Sequence, residues 1–238
     1  MTARRPPLRT AGLALVGFVL LVSLAFTALT ILFGYDDVLR DPPSEVLRRY
    51  LAGGGALVRA WAAFAAGALA FAAIGPLAER AAGVALPSWL APAAALAMAV
   101  GLLRWVVVVP VLAAAHQAPG ASEATQAAAE MAYRALHQFA GVGIGETLGP
   151  ILLGAWTFGF ARGLRARHPI LSWAGRATLP LWILGLSEPL ATGWPGLPVV
   201  EAGALAFIAW EAWLLALGLV WMVGADTRTP GMDFDPAG

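Results

Sequence analysis

Long apolar runs separated by short polar segments dominate the chain. The first run covers residues 11–33 and the last covers residues 199–223. A helix of about 20 apolar residues crosses the roughly 30 Å of hydrocarbon in a bilayer. The pattern predicts six such helices, at residues 11–33, 51–77, 89–115, 139–161, 170–191 and 199–223. We therefore predict an all-α integral membrane protein in which six transmembrane helices form one bundle.

The polar segments mark the ends of these helices. Asp41 followed by two prolines is typical of a helix start, so predicted helix two begins there and enters the membrane near Leu51. Pro110 is expected to kink predicted helix three. Residues 121–134 are good helix formers but contain too many Glu, Gln and Ser to span, which indicates a surface helix. The predicted organisation is an N-terminal segment (1–10), a six-helix domain (11–225) and a flexible C-terminal tail (226–238).

The arginines outside the spans predict the orientation. The first apolar run is too long to be the apolar region of a secretion signal, so it counts as a span. With the N-terminus in the cytoplasm, the cytoplasmic arginines are Arg4, Arg5, Arg9, Arg80, Arg162, Arg165, Arg167 and Arg228, and the outer ones are Arg40, Arg48, Arg49 and Arg134. Short cytoplasmic loops normally contain the excess of basic residues. We therefore expect both termini to be cytoplasmic, in a bacterial inner membrane or a plasma membrane.

Composition excludes several classes of function. Hydrophobic residues make up 60% of the chain and charged residues only 12%, too few to cover a globule in water. The net charge of +1 argues against nucleic acid as a partner. The absence of cysteine excludes disulfides and thiolate chemistry, and the absence of lysine excludes a Schiff base. The bias towards Arg, Ala, Gly and Pro is typical of a GC-rich bacterial genome.

Charged residues within the predicted spans are the candidate functional residues, because each is costly in hydrocarbon. Helical rise puts Arg59, Arg104 and Glu146 at similar depths, about 11 to 16 Å from the outer boundary. This layer has one more cation than anion unless Glu188 or Glu201 reaches it, so it could hold an anionic ligand group. Alternatively, these residues only fasten helices together. The predicted ligand-binding residues are Arg59, Arg104, Trp105, His137, Glu146 and Glu188.

Two further sets of residues have a predicted structural role. Arg176 and Glu211 both fall about 20 Å from the outer face, and we predict a structural ion pair between them. Gly141, Gly145 and Gly149 recur at every fourth position, which gives a smooth helix face for close packing against a neighbour.

The histidines do not have the spacing of a metal site. His116 and His137 lie near the outer interface on either side of the predicted surface helix, and His168 lies in a basic loop. Since no ligand pattern connects them, we predict no metal and no cofactor.

Three stretches resemble a known bacterial family. They are Leu103 to Ala113 (LRWVVVVPVLA), His137 to Val142 (HQFAGV) and Gly145 to Gly149 (GETLG). The chain resembles the multi-pass membrane family known as domain of unknown function number four thousand three hundred and eighty-six, over about residues 9–223. In that family a His often follows the Glu of helix four, whereas this chain has Thr147. The resemblance implies an all-helical membrane fold and no particular activity.

Taken together, these features favour a non-enzymatic membrane protein that binds a small ligand or lipid in an outward-facing polar pocket, as a sensor or accessory component. The alternative is a transporter of a small solute or ion. A membrane enzyme with Glu146 as acid or base comes third, because no nucleophile or metal constellation accompanies it. The bilayer is the expected partner, and protein partners do not follow from the sequence.

Overall fold

The computed structural model describes residues 7–35, 37–194 and 196–224, and these contain helices and turns without any strand. The helices are α1 (Leu8–Phe33), a 3-10 turn (Asp37–Arg40), α2 (Pro43–Ala82), α3 (Leu90–Val107), α4 (Val109–His116), α5 (Glu123–Leu136), a π-helical segment (His137–Leu148), α6 (Gly149–Gly163), α7 (Pro169–Ala177), α8 (Leu179–Gly185), α9 (Ser187–Ala191) and α10 (Gly203–Gly224). The predicted all-helical fold is therefore confirmed. Most of the predicted N-terminal segment and all of the predicted tail lie outside the described residues.

Five helices in the described ranges are long and apolar enough to cross a membrane. They are Leu8–Phe33, Pro43–Ala82, Leu90–His116, Glu123–Gly163 and Gly203–Gly224. The third is interrupted between α3 and α4, next to the expected kink at Pro110. The fourth joins the predicted surface helix, α5, to predicted helix four. Ser122 caps α5 by accepting a hydrogen bond from the backbone N–H of Thr125.

Predicted helix five differs from the prediction, because it consists of the three short helices α7, α8 and α9. Pro180 and Pro189 lie in this segment, and a proline removes one helical hydrogen bond and crowds the preceding turn. Helical bonds persist across the breaks, such as Leu186 N–H to the carbonyl of Trp182 at 3.3 Å. The chain here follows a helical course without forming one apolar helix of spanning length. Six spans therefore remain a prediction.

One glycine allows a break in the longest helix. Gly54 in α2 has φ 54° and ψ −151°, which a residue with a Cβ adopts only under strain. The break separates the polar first turns of α2 from its apolar remainder.

The buried side chains form two clusters, and α2 and α3 contribute to both. One is centred on Trp156, Phe160 and Trp213 between α6 and α10. The other lies at the opposite end of α2 and contains Trp61 and Trp105, whose rings stack with centroids 4.7 Å apart. This second cluster supports one wall of the cavity described next.

Candidate functional site

A cavity of about 400 Å³ opens at the end of the bundle where α1 ends and α10 begins. Its lining comes from α1, the 3-10 turn, α2, α3, the π-helical segment, α6, α8, α9 and α10. The charged and titratable lining residues are Asp37, Arg40, Arg104, His137, Glu146, Glu188, Glu201 and Glu211, and the aromatic ones are Phe26, Tyr35, Phe64, Trp105, Trp182 and Phe207. The cavity thus combines aromatic surface with several polar groups, as ligand sites usually do.

Arg104 is the buried polar centre of one wall. Its side chain is only 4% exposed, and its guanidinium donates to the carbonyl of Gly101 one turn earlier on α3. Nη2 lies 3.2 Å from Nδ1 of His137 and 3.8 Å from Oε1 of Glu146. Since a guanidinium only donates, Nδ1 of His137 accepts this bond and the ring proton is on Nε2. The guanidinium also lies 5.1 Å from the ring centroid of Trp105, within cation–π range.

The π-helical segment brings the partners of Arg104 into place. Its hydrogen bonds run to the fifth residue back, and the hydroxyl of Thr147 adds a bond of 2.8 Å to the carbonyl of Val142. Such segments are rare and occur often at functional sites. The sequence predicted an ordinary α-helix here, so the π geometry of His137–Leu148 is a correction.

The three predicted packing glycines all face α3. A Cβ added to Gly141 would lie 2.6 Å from Cζ of Arg104, and one on Gly145 would lie 3.0 Å from Cα of Gly101. One on Gly149 would lie 2.5 Å from Sδ of Met98. A larger residue at Gly145 would crowd the backbone of α3, and one at Gly141 or Gly149 would displace the side chain of Arg104 or Met98. These short distances support the predicted role in packing, and Gly141 in addition makes room for the guanidinium.

An ion-pair cluster lies at the open end of the cavity. Arg40 of the 3-10 turn donates from Nε (3.1 Å) and Nη2 (2.7 Å) to Oε1 of Glu188 on α9. It also lies 3.5 Å from Asp37 and 3.9 Å from Glu201. We call these four residues, Asp37, Arg40, Glu188 and Glu201, the mouth. The mouth joins the loop after α1 to the segment that precedes α10.

At its other end the cavity reaches Glu211 on α10. The carboxylate of Glu211 accepts a hydrogen bond of 2.7 Å from the hydroxyl of Ser23 on α1. Phe207, one turn earlier on α10, packs edge-on against Trp182 with ring centroids 4.7 Å apart. This end of the cavity therefore has one carboxylate among aromatic rings.

The charge balance of the cavity is opposite to the predicted one. The described lining has five carboxylates against two guanidiniums, an excess of three negative charges if all are ionised. The surplus of positive charge is absent from the described lining, because Glu188 and Glu201, the two residues expected to offset it if they reached the site, lie at the mouth and Arg59 does not line the cavity.

Two sequence predictions about charged side chains do not match the structure. Arg59 lies on an exposed face of α2, away from the cavity lining. Arg176 and Glu211 do not pair, because Nε of Arg176 donates to the carbonyl of Ser172 while Glu211 bonds Ser23. The position of a residue along a helix can be read from the sequence, whereas the direction of its side chain around the helix axis cannot. The other predicted ligand-binding residues, Arg104, Trp105, His137, Glu146 and Glu188, all line the cavity.

Sequence reasoning missed two important parts of the lining. Asp37 and Arg40 lie in a polar loop whose sequence has no sign of a site, and only the chain path after α1 brings them over the cavity. Glu211 was recognised as embedded, but it was assigned to the wrong partner.

The three histidines lie in separate environments. Nε2 of His116 is 3.0 Å from Glu130, which links α4 to α5, and His137 faces Arg104. His168 lies between α6 and α7, where burial and the neighbouring Arg167 lower its pKa. No group of three metal-ligating side chains occurs among the residues that the structure describes.

No family model matches the chain, and neither a curated protein nor a solved structure is similar to it. The resemblance suggested by the sequence motifs stays a prediction. Function therefore has to be argued from the geometry of the cavity.

Proposed function

We propose that this chain is a multi-pass membrane protein that binds a small organic ligand or lipid in its cavity, as a sensor or accessory component. We further propose that it lies in a bacterial inner or plasma membrane with both termini in the cytoplasm. The five long apolar helices support membrane insertion. So do large apolar side chains on the outer surface, such as Ile31 at 78% and Phe139 at 72% exposure. Water is a poor solvent for such a surface, whereas hydrocarbon suits it.

The buried guanidinium of Arg104, with His137 and Glu146 beside it in the cavity wall, is the observation that supports ligand binding most directly. Burying a guanidinium is costly, and a protein that needed only to hold two helices together could use apolar contacts there. The volume of about 400 Å³ is in the usual range for small-molecule sites. The polar groups converge on this one space, which is the arrangement that fixes a ligand's orientation.

Mass spectrometry of compounds that co-purify with the protein tests this proposal. Gly203 lines the cavity, and a Cβ added there meets no heavy atom within 4 Å, so Gly203→Leu extends into free space. Gly17 has equally free surroundings but lies on an exposed face of α1 outside the lining, so Gly17→Leu is the matched control. We expect a compound present with the wild type and with Gly17→Leu to be lost with Gly203→Leu. Equal recovery from all three proteins would contradict binding in the cavity.

A transporter is the second candidate, favoured by the irregular helices around the cavity. Transporters often bind substrates between interrupted helices. Here α8 and α9, which flank the break at Leu186, and the π-helical segment all contribute to the lining. Uptake by proteoliposomes of the compound identified above tests this role. A binding protein without transport activity would retain the compound without moving it across the bilayer.

A further inference from the structure

Among the residues that the structure describes, Glu211 has no cationic partner, unlike the other carboxylates of the cavity. At the mouth, Asp37, Glu188 and Glu201 all lie within 4 Å of Arg40, at 3.5, 2.7 and 3.9 Å. Glu146 lies 3.8 Å from Arg104. Glu211 is the one carboxylate of the described lining that pairs with an uncharged group and with no cation. It accepts a hydrogen bond of 2.7 Å from the hydroxyl of Ser23. The carboxylate of Glu211 therefore has no counter-charge among the described residues of the cavity.

The surroundings of Glu211 would suit a cation with an organic substituent. Five residues, Phe64, Met98, Leu102, Phe207 and Glu211, line both the main cavity and a second, apolar one of about 40 Å³. Glu211 is the only charged residue of that smaller cavity. Aromatic ring faces attract ammonium groups, most strongly where water is displaced. The carboxylate thus lies where a polar space meets an apolar one.

An anionic ligand fits the same cavity poorly. Arg104 is the only embedded guanidinium of the described lining, and its charge is already compensated by Glu146. It also contacts His137, Gly101 and the ring of Trp105. Its Nε has no acceptor, but this atom is buried away from solvent and so is not offered to a ligand. An anion would meet an excess of carboxylates without gaining a free cation.

We propose that the ligand of this cavity has an organic ammonium group, which binds to the carboxylate of Glu211 beside the ring of Phe207. This inference rests on the proposed ligand-binding function and gives the chemical class of the ligand. The apolar part of the ligand occupies the space bordered by Phe64 and Met98. Ser23 holds the carboxylate in place by its hydrogen bond.

A pair of probes that differ only in charge tests the proposal. Benzyltrimethylammonium is permanently charged, and neopentylbenzene has the same shape with carbon in place of nitrogen. Binding to the wild type in phosphatidylglycerol nanodiscs is measured by ligand-observed NMR. We expect the charged probe to bind to the wild type, and we expect Glu211→Gln to weaken this binding at least about tenfold. Binding of the neutral probe should be the same in both proteins.

Two further variants separate a specific role from general damage. Glu123→Gln makes the same chemical change on an exposed residue of α5 outside the cavity lining, and it should alter binding less than about twofold. Phe207→Leu keeps the carboxylate of Glu211 and removes the aromatic ring. It should therefore weaken binding of the charged probe by about threefold and leave binding of the neutral probe unchanged. The second variant tests the site even if Glu211→Gln fails to fold.

The outcomes distinguish a failure of the proposed ligand-binding function from a failure of the ammonium assignment alone. If neither probe binds to the wild type, the proposed ligand-binding function fails with this inference. If both probes bind equally to the wild type, or Glu211→Gln leaves the charged probe unaffected, the cavity binds ligands but the ammonium assignment is overturned. If the charged probe binds as expected, adding phosphatidylcholine identifies the source. Displacement of the probe indicates that the natural ligand is a lipid with an ammonium headgroup. No displacement indicates that it is a free amine.

Discussion

The guanidinium of Arg104 lies directly on the backbone of Gly141, so close that a Cβ there would be 2.6 Å from Cζ. This contact joins α3 to the π-helical segment and sets the position of the charged group in the cavity wall. The buried charge and the glycine therefore depend on each other.

Gly141→Ala should displace Arg104 and lower the free energy of unfolding by about 1 to 3 kcal/mol, the usual cost of overpacking. Gly143→Ala is the matched control in the same segment, because Gly143 is exposed and its added Cβ makes an ordinary contact of 3.4 Å. It should be neutral or slightly stabilising, since Ala favours helices over Gly. Denaturant unfolding of the detergent-solubilised protein measures both. Equal losses of unfolding free energy in Gly141→Ala and Gly143→Ala would contradict the close contact between Arg104 and Gly141.

Glu146→Gln should destabilise the protein by about 2 kcal/mol, because it leaves the buried guanidinium of Arg104 without its counter-charge. Arg104→Met removes that charge, and Glu146, whose side chain is 41% exposed, can then be hydrated. Adding Glu146→Gln to Arg104→Met should therefore lower the free energy of unfolding only slightly below that of Arg104→Met alone. Unfolding of the wild type, both single variants and the double variant gives the coupling energy. Simple additivity would show that the two residues do not act as a pair.

Arg40→Gln should loosen the mouth without much loss of stability. The side chains of Arg40 and Glu188 are 39% and 38% exposed, and exposed ion pairs stabilise a fold by less than about 1 kcal/mol. We expect the association and dissociation rates of the ammonium probe both to rise, by roughly twofold to tenfold. Arg48→Gln is the control, because Arg48 pairs with Glu45 within α2 at 2.6 Å. Unchanged rates for Arg40→Gln would mean that the mouth does not limit access.

The number of spans can be read from labelling, because the chain has no native cysteine. Single cysteines at Thr2, Ala118 and Ala237 report the N-terminal end, the connection between α4 and α5, and the C-terminal end. With six spans, an impermeant thiol reagent applied to intact cells should label Ala118→Cys alone. Labelling of Ala237→Cys as well would indicate five spans, with α7, α8 and α9 on one side of the membrane.

Local signals in the sequence predicted a large part of the architecture. The apolar runs predicted the five long helices because burial in hydrocarbon requires sustained apolarity and internal hydrogen bonding. The prolines after Asp41 predicted the start of α2, which begins at Pro43. The prediction of helix five was less accurate, because apolarity alone does not show how far Pro180 and Pro189 interrupt a helix.

The sequence by itself determined that this protein is an all-helical chain with long apolar helices, and it identified Arg104 and Glu146 as costly charges within the predicted spans. Only the tertiary structure decided which of these residues meet. Arg59 turned outward, Glu211 bonded Ser23 instead of Arg176, and Arg40 came over the cavity from a loop. Apolarity and helical rise are properties of one segment and can be read along the chain. The direction of each side chain depends on how helices rotate and pack against each other, which contacts between distant residues determine.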